Sequence, residues 1–196
     1  MRRDGRRLYR MTLVSLFTAL TIVGASIQIP LPFSPVPVTL QSLFVLLSGM
    51  LLGGVWGGMA QALFLAVGLV FPVYASRQIG LAAILHPSFG FVVGFVLAAL
   101  LVGLAMRRIG RPSFGKLFAL ALGGTVLLYA AGIFHVLFTL RWIHGTGWAF
   151  GKALSYLLLP YLPGDLLKCA AAALAAPPIL RALGGKADFT GGKNNA

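Results

Sequence analysis

The sequence predicts an all-α integral membrane protein, a bundle of six transmembrane helices with both termini cytoplasmic. Three observations carry that expectation. Of the 196 residues, 59% are hydrophobic and only 10% are charged, against about 25% charged in a soluble domain. No charged side chain occurs from Met11 to Ser76, a run long enough for about three spans of roughly 20 residues. The Lys and Arg residues cluster in short segments between apolar runs. The alternation expected of barrel strands is not seen.

The spans follow in chain order. The first is expected over Met11–Ile29, after a basic segment at residues 1–10. Its start resembles a signal peptide, with Val23-Gly24-Ala25 like a cleavage site. The Pro-rich segment behind it, Pro30 to Pro37, reads instead as a stiff extended loop joining two spans. That loop is either a rigid connector or a preformed cap over an outward-facing pocket. Spans two and three are expected over Val36–Gly53 and Gly54–Pro72, joined by a tight turn inside Gly53–Gly58. The fourth is expected over Pro87–Met106, the fifth over Lys116–Leu140 and the sixth over Pro163–Leu180. Gly147–Leu159 is too short to span and reads as an interfacial helix or loop end. The whole reads as one membrane domain, the bundle occupying about 11–182 and a cytoplasmic tail 183–196.

Orientation comes from the Lys/Arg bias. With the N-terminus inside, the cytoplasmic side holds Arg2, Arg3, Arg6, Arg7, Arg10, Arg107, Arg108, Arg111, Lys116, Arg181, Lys186 and Lys193. The outer side holds Arg77, Arg141 and Lys152. A net charge of +13 first suggests nucleic acid, but this distribution is that of a multi-pass protein of the cytoplasmic membrane, with lipid and not nucleic acid as its surroundings.

Asp165 is the most informative residue. The chain has three acidic residues, Asp4, Asp165 and Asp188, and no Glu. Only Asp165 lies in an apolar segment, in Leu162-Pro163-Gly164-Asp165-Leu166-Leu167-Lys168. Residues three apart share a helix face, so an acid and a base project together near the outer end of the last span. Each costs about 2.5–3.5 kcal/mol at a helix centre unless paired, which makes the pair a candidate site. The plain alternative is an ion pair that locks the helix start. Other polar candidates near the outer face are Thr39, Gln41, Tyr74, Arg77 and Gln78, with Trp148 and Tyr156 as interface-belt residues. The lone cysteine, Cys169, sits among alanines and reads as inert, facing lipid or another helix. His86, His135 and His144 have no metal-ligand spacing, and His135 alone falls inside a span. No Gly-Lys-Ser/Thr occurs, so no Walker A phosphate loop is present. Neither catalytic nor metal-binding residues nor a cofactor are expected. Small residues four apart, Ser15 and Ala19, Thr21 and Ala25, and Gly90 and Gly94, allow close helix approach.

Two stretches taken together, Pro35-Val36-Pro37-Val38-Thr39-Leu40-Gln41 before a span and Leu162–Lys168 opening the last one, resemble the BioY family, the biotin-specific substrate-binding subunit of energy-coupling-factor (ECF) transporters. The similarity covers about residues 12–182. It implies capture of biotin from outside beneath external loops, by Asp165 and Lys168. It implies partners as well, a transmembrane coupling subunit and two ABC ATPases, docking partly through Ser15 and Ala19. The stretch Ala75–Gly90 departs from the family's Gly-Pro-Thr-Gly-Gly-Tyr pattern, with bulky Arg77, His86 and Phe89. Two other classes stay open on the residues: a solitary or secondary uptake carrier, and an intramembrane enzyme using Asp165, Lys168 and His135.

Overall fold

In a computed structural model, residues 3–109 and 112–183 are described, with the side chains at 3, 4 and 6 outside that description. The chain order is α1 (Arg3–Ser26), β1 (Gln28–Ile29), β2 (Val38–Thr39), α2 (Gln41–Leu52), α3 (Gly54–Val70), α4 (Gly80–Leu85), α5 (Phe89–Met106), α6 (Phe114–Trp142), α7 (Phe150–Leu157) and α8 (Leu162–Leu183). Among the described residues, four stretches are long and apolar enough to cross a membrane: Arg7–Ser26 of α1, and α5, α6 and α8. The expected tail, beyond 183, and Arg111 lie outside the described residues.

The helices match the expected spans in order, with three corrections. α2 has 12 residues and starts at Gln41, not Val36. At 1.5 Å per residue it covers about 18 Å, short of a hydrocarbon core of about 30 Å. The residues before it pair instead as a short antiparallel ribbon, Gln28 opposite Thr39 and Ile29 opposite Val38. The Pro-rich segment is thus the tip of a hairpin, an exception to the all-α expectation. Second, α1 starts at Arg3, so the basic segment continues the first helix; no proline stops it. Third, α4 falls where a loop was expected.

The turn between α2 and α3 requires glycine. Gly53 has φ +80° and a following Gly54, which brings the two helices back on each other. Gly103 of α5 lies so close to this turn that a Cβ there would meet Gly54 N at 2.2 Å. Gly90 packs against His135 of α6 in the same way. Small residues therefore set the α3–α5 and α5–α6 crossings. Thr21 and Ala25 are buried inside the bundle.

A polar lock joins the first three helices. Gln61 Nε2 donates to Thr21 Oγ1 at 3.3 Å and to Ser48 Oγ at 3.1 Å. Thr18 Oγ1 donates to the Ala60 carbonyl at 2.9 Å. All of these side chains are buried, so each hydrogen bond offsets desolvation that hydrocarbon would not relieve. The aromatic core lies in the other half, between α3, α5, α6 and the loops, and holds Phe64, Tyr74, Phe91, Phe95 and Tyr129. The site is built at its edge.

Candidate functional site

The first turn of α8 carries Asp165. Its amide donates to the Tyr161 carbonyl at 2.9 Å, so the carboxylate sits where the helix begins. Three donors converge on it. Lys168 Nζ lies 2.8 Å from Oδ1, Ser42 of α2 donates to Oδ1 at 3.4 Å, and the Tyr129 hydroxyl of α6 donates to Oδ2. The Asp165 and Lys168 side chains are only 10% and 11% exposed. A carboxylate has about four lone-pair sites, so three donors leave about one for anything else. Lys168 keeps N–H donors that Asp165 does not use.

These groups open onto a cavity of about 70 Å³. Its wall includes Thr39, Gln41, Ser42, Tyr74, Asp165 and Lys168, with Phe91, Phe95, Leu128 and Leu157 as the apolar part. The size is below the roughly 300–1,000 Å³ of most ligand pockets. Val36 and Pro37 of the hairpin form part of its rim. The Tyr161 hydroxyl holds them there, donating to the Val36 carbonyl and lying 2.8 Å from Ser34 Oγ. Burial pushes the Tyr161 phenol up and the Tyr74 phenol up to about 12, so both act as neutral hydroxyls. Tyr74 spends its proton on the Leu65 carbonyl and fits against Gly68, where a Cβ would lie 2.1 Å from the ring.

Gln41 is the unsatisfied member. It is 4% exposed, and its Oε1 accepts from Thr39 Oγ1 at 3.2 Å. Its Nε2 has no hydrogen-bond partner among the described residues. A buried unpaired amide costs about 1–3 kcal/mol, a cost that a ligand acceptor would remove. The variant Gln41→Met is therefore expected to raise the Tm of the ligand-free protein. A lower Tm would mean that the amide is already satisfied in solution.

Of the residues singled out from sequence, the cavity brings together Thr39, Gln41, Tyr74, Asp165 and Lys168. Arg77 and Gln78 are exposed and outside its wall; Arg77 has φ +58° and donates to the Pro72 carbonyl at 3.3 Å. In the atypical stretch, small Ala75 and Ser88 line the cavity while Arg77, His86 and Phe89 do not. Burial holds the His86 imidazole below its usual pKa, helped by His144 and His135, and its Nδ1 accepts the Ser88 amide at 3.2 Å. Phe89 packs on Tyr74 and His135. His135 does not join the acid and base; its Nε2 lies 3.1 Å from the Ile84 carbonyl and ties α6 to α4. Cys169 is fully buried, 3.3 Å from Thr125 Oγ1, so it faces a helix.

Ser42, Tyr129 and Tyr161 were missed from sequence. Ser42 stands next to Gln41 and Tyr161 four residues before Asp165, and proximity to candidates was a usable signal for both. Nothing near Tyr129 in the sequence points to Asp165. Ser15 and Ala19 lie on the exposed face of α1, while Leu13, Val14, Phe17 and Thr18 face the bundle.

A family model described as the BioY family matches residues 1–185. A "Probable biotin transporter BioY" of Lysinibacillus sphaericus is 40% identical over 124 residues, which is 63% of this chain and 62% of that protein. The "Biotin transporter BioY" of Thermotoga maritima is 37% identical over 82% of this chain and 89% of its own length. Among solved structures, the S-component for biotin from an ECF-type ABC transporter superposes with a TM-score of 0.79 at 24% identity, covering 92% of this chain and 95% of that one. This last likeness concerns the fold.

Proposed function

The chain belongs to the BioY family, and from that premise we propose that it is the biotin-binding S-component of an ECF-type ABC transporter, a multi-pass subunit of the cytoplasmic membrane. The names of its relatives as biotin transporters support the substrate. The observation that carries the reading in this chain is the cavity itself, where an acid–base pair meets an unpaired amide donor within an apolar wall. Biotin offers a ureido carbonyl and a carboxylate as acceptors, two ureido N–H donors and an apolar body. Gln41 Nε2 and Lys168 donate to its oxygens, and the remaining lone pair of Asp165 accepts one N–H. Thr39, Ser42, Tyr74 and Tyr129 shape and orient the site. Arg77 and Gln78 act only if the loop closes over bound ligand.

The test is binding of labelled biotin to the purified chain. Dethiobiotin, which keeps the ureido ring, is expected to compete; lipoate and thiamine are not. Absence of saturable binding, or equal competition by lipoate, overturns the substrate assignment.

Transport draws its energy from partners, a transmembrane coupling subunit and two ABC ATPases, since this chain has no Walker A sequence. Ser15 and Ala19 of α1 form the docking face, where small side chains permit close helix contact. Ser15→Trp is expected to weaken assembly with the coupling subunit and leave biotin binding intact. Lost binding with intact assembly would place that face inside the fold. Six membrane segments with both termini inside fit the charge bias. An impermeant thiol reagent is then expected to label a cysteine at position 34 and not one at 109 in intact cells; equal labelling overturns the topology.

A further inference from the structure

The chain has three histidines, His86, His135 and His144, and none of them lines the ligand cavity. They gather at one place. His86 stands just before α5, close enough to His144, beyond α6, and to His135 of α6 for their charges to act on it. His135 Nε2 lies 3.1 Å from the Ile84 carbonyl, and its Cβ takes the space that a Cβ on Gly90 would need. The segment from Ile84 to Gly90 is thus seated on α6 by one histidine and shaped internally by another.

The two imidazoles make opposite demands on a proton. His135 donates to a carbonyl, which it can do neutral or charged. His86 accepts: its Nδ1 lies 3.2 Å from the Ser88 amide and 2.8 Å from Ser88 Oγ. Only the neutral ring with its proton on Nε2 can accept there, because both nitrogens of the cation are donors. A bond from a side chain to the amide two residues on is the one that Asn or Asp makes at a turn. A proton on Nδ1 therefore sets a donor against the Ser88 N–H. It also puts a cation just ahead of the α5 N-terminus, which already carries partial positive charge. No neighbouring element offers a counter-ion. α3, α4 and α5 have no titratable side chain, Tyr74 spends its proton on the Leu65 carbonyl, and Arg77, His135 and His144 are all bases.

Ser88 lines the ligand cavity, and so do Phe91 and Val92 in the first turn of α5. We propose that His86 is a proton-operated clasp on this wall: neutral, it fixes Ser88 and the start of α5, and protonated, it releases them and weakens ligand capture. His86 is half-buried, so protons reach it. Burial first, then His144 and His135, already hold the imidazole below its usual pKa. The stability this contributes is present at neutral pH, above the unfolded value, and is lost as pH falls through the lowered folded value.

The test follows the Tm of the ligand-free chain and its affinity for labelled biotin together, at about pH 7.5 and about pH 5.5, the range in which histidine titrates. On acidification the unaltered chain is expected to lose Tm, and its Kd for biotin to rise about threefold or more. His86→Asn keeps an acceptor for the Ser88 amide and cannot titrate, so it is expected to lose most of both changes. His86→Ala has no acceptor and is expected to show the lowered Tm already at pH 7.5. His135→Gln and His144→Gln remove positive neighbours and are expected to move the Tm transition to higher pH. The affinity measurement rests on the biotin reading of the cavity, whereas the Tm measurement does not. Absence of biotin binding at both pH values overturns that reading and leaves the Tm comparison to decide the clasp. A Tm loss of the same size in His86→Asn as in the unaltered chain overturns the clasp. A Tm loss confined to the unaltered chain, with biotin bound equally at both pH values, overturns its link to the cavity.

Discussion

Asp165→Asn is expected to weaken biotin binding at least tenfold, about 1.4 kcal/mol, and to lower the stability of the ligand-free protein at the same time. Both effects have one origin. Asp165 receives Lys168, Ser42 and Tyr129, and the amide offers a donor where a carboxylate accepted. Lys168 is then left as a nearly buried cation without its counter-ion, a change that typically costs about 3–5 kcal/mol. Stability alone would not separate a ligand site from a helix-start lock. The double variant Asp165→Asn, Lys168→Met does, because it removes the orphaned charge. It is expected to recover most of the lost Tm and none of the lost binding. If folded double variant binds biotin like the unaltered chain, the pair is structural only. The comparison is a double-mutant cycle measured by thermal unfolding and ligand titration on the same preparations.

Gly103→Val is expected to prevent accumulation of folded protein. A Cβ at 103 would lie 2.2 Å from Gly54 N and 2.4 Å from Gly53 C. Those are backbone atoms at a turn already committed to φ +80°, so no side chain can rotate away. Overpacking usually costs about 1–3 kcal/mol; moving a whole helix terminus puts this site at or above the top of that range. Gly123→Ala is the control. It sits in α6 with open space around its Cβ position, and helix propensity favours alanine by roughly 0.5–1 kcal/mol. Monodisperse yield after detergent extraction should fall sharply for the first and hold for the second. Equal yields would mean that α3 and α5 cross at a wider distance.

The division between sequence and tertiary structure follows particular residues. The apolar segments were legible because hydrocarbon gives backbone and charge no partner, so composition alone must record where a chain crosses. The same argument made Asp165 and Lys168 conspicuous: a charged pair in an apolar segment has no cheap explanation. Hydropathy is blind to backbone path, however. It extended the second span through Val36–Leu40, which are apolar apart from Thr39 yet belong to a hairpin held by pairing with Gln28 and Ile29. It also passed over α4, six residues long, whose position depends on His135 reaching Ile84 from another helix.

By itself, then, the sequence determined that this chain is a helical membrane protein with one acid–base pair set into its last helix, since burial of charge and exposure of backbone are penalised wherever the fold places them. Only the tertiary structure decided what surrounds that pair. Tyr129 and Ser42 reach Asp165 because α8 packs on both α2 and α6, which brings the three helices to one point, and a tyrosine or serine in an apolar segment looks the same whether it meets a carboxylate or lipid. The unpaired amide of Gln41 is likewise a property of its neighbours and not of its identity. Hydrogen-bond satisfaction is a pairwise quantity, fixed only when the partners' positions are fixed.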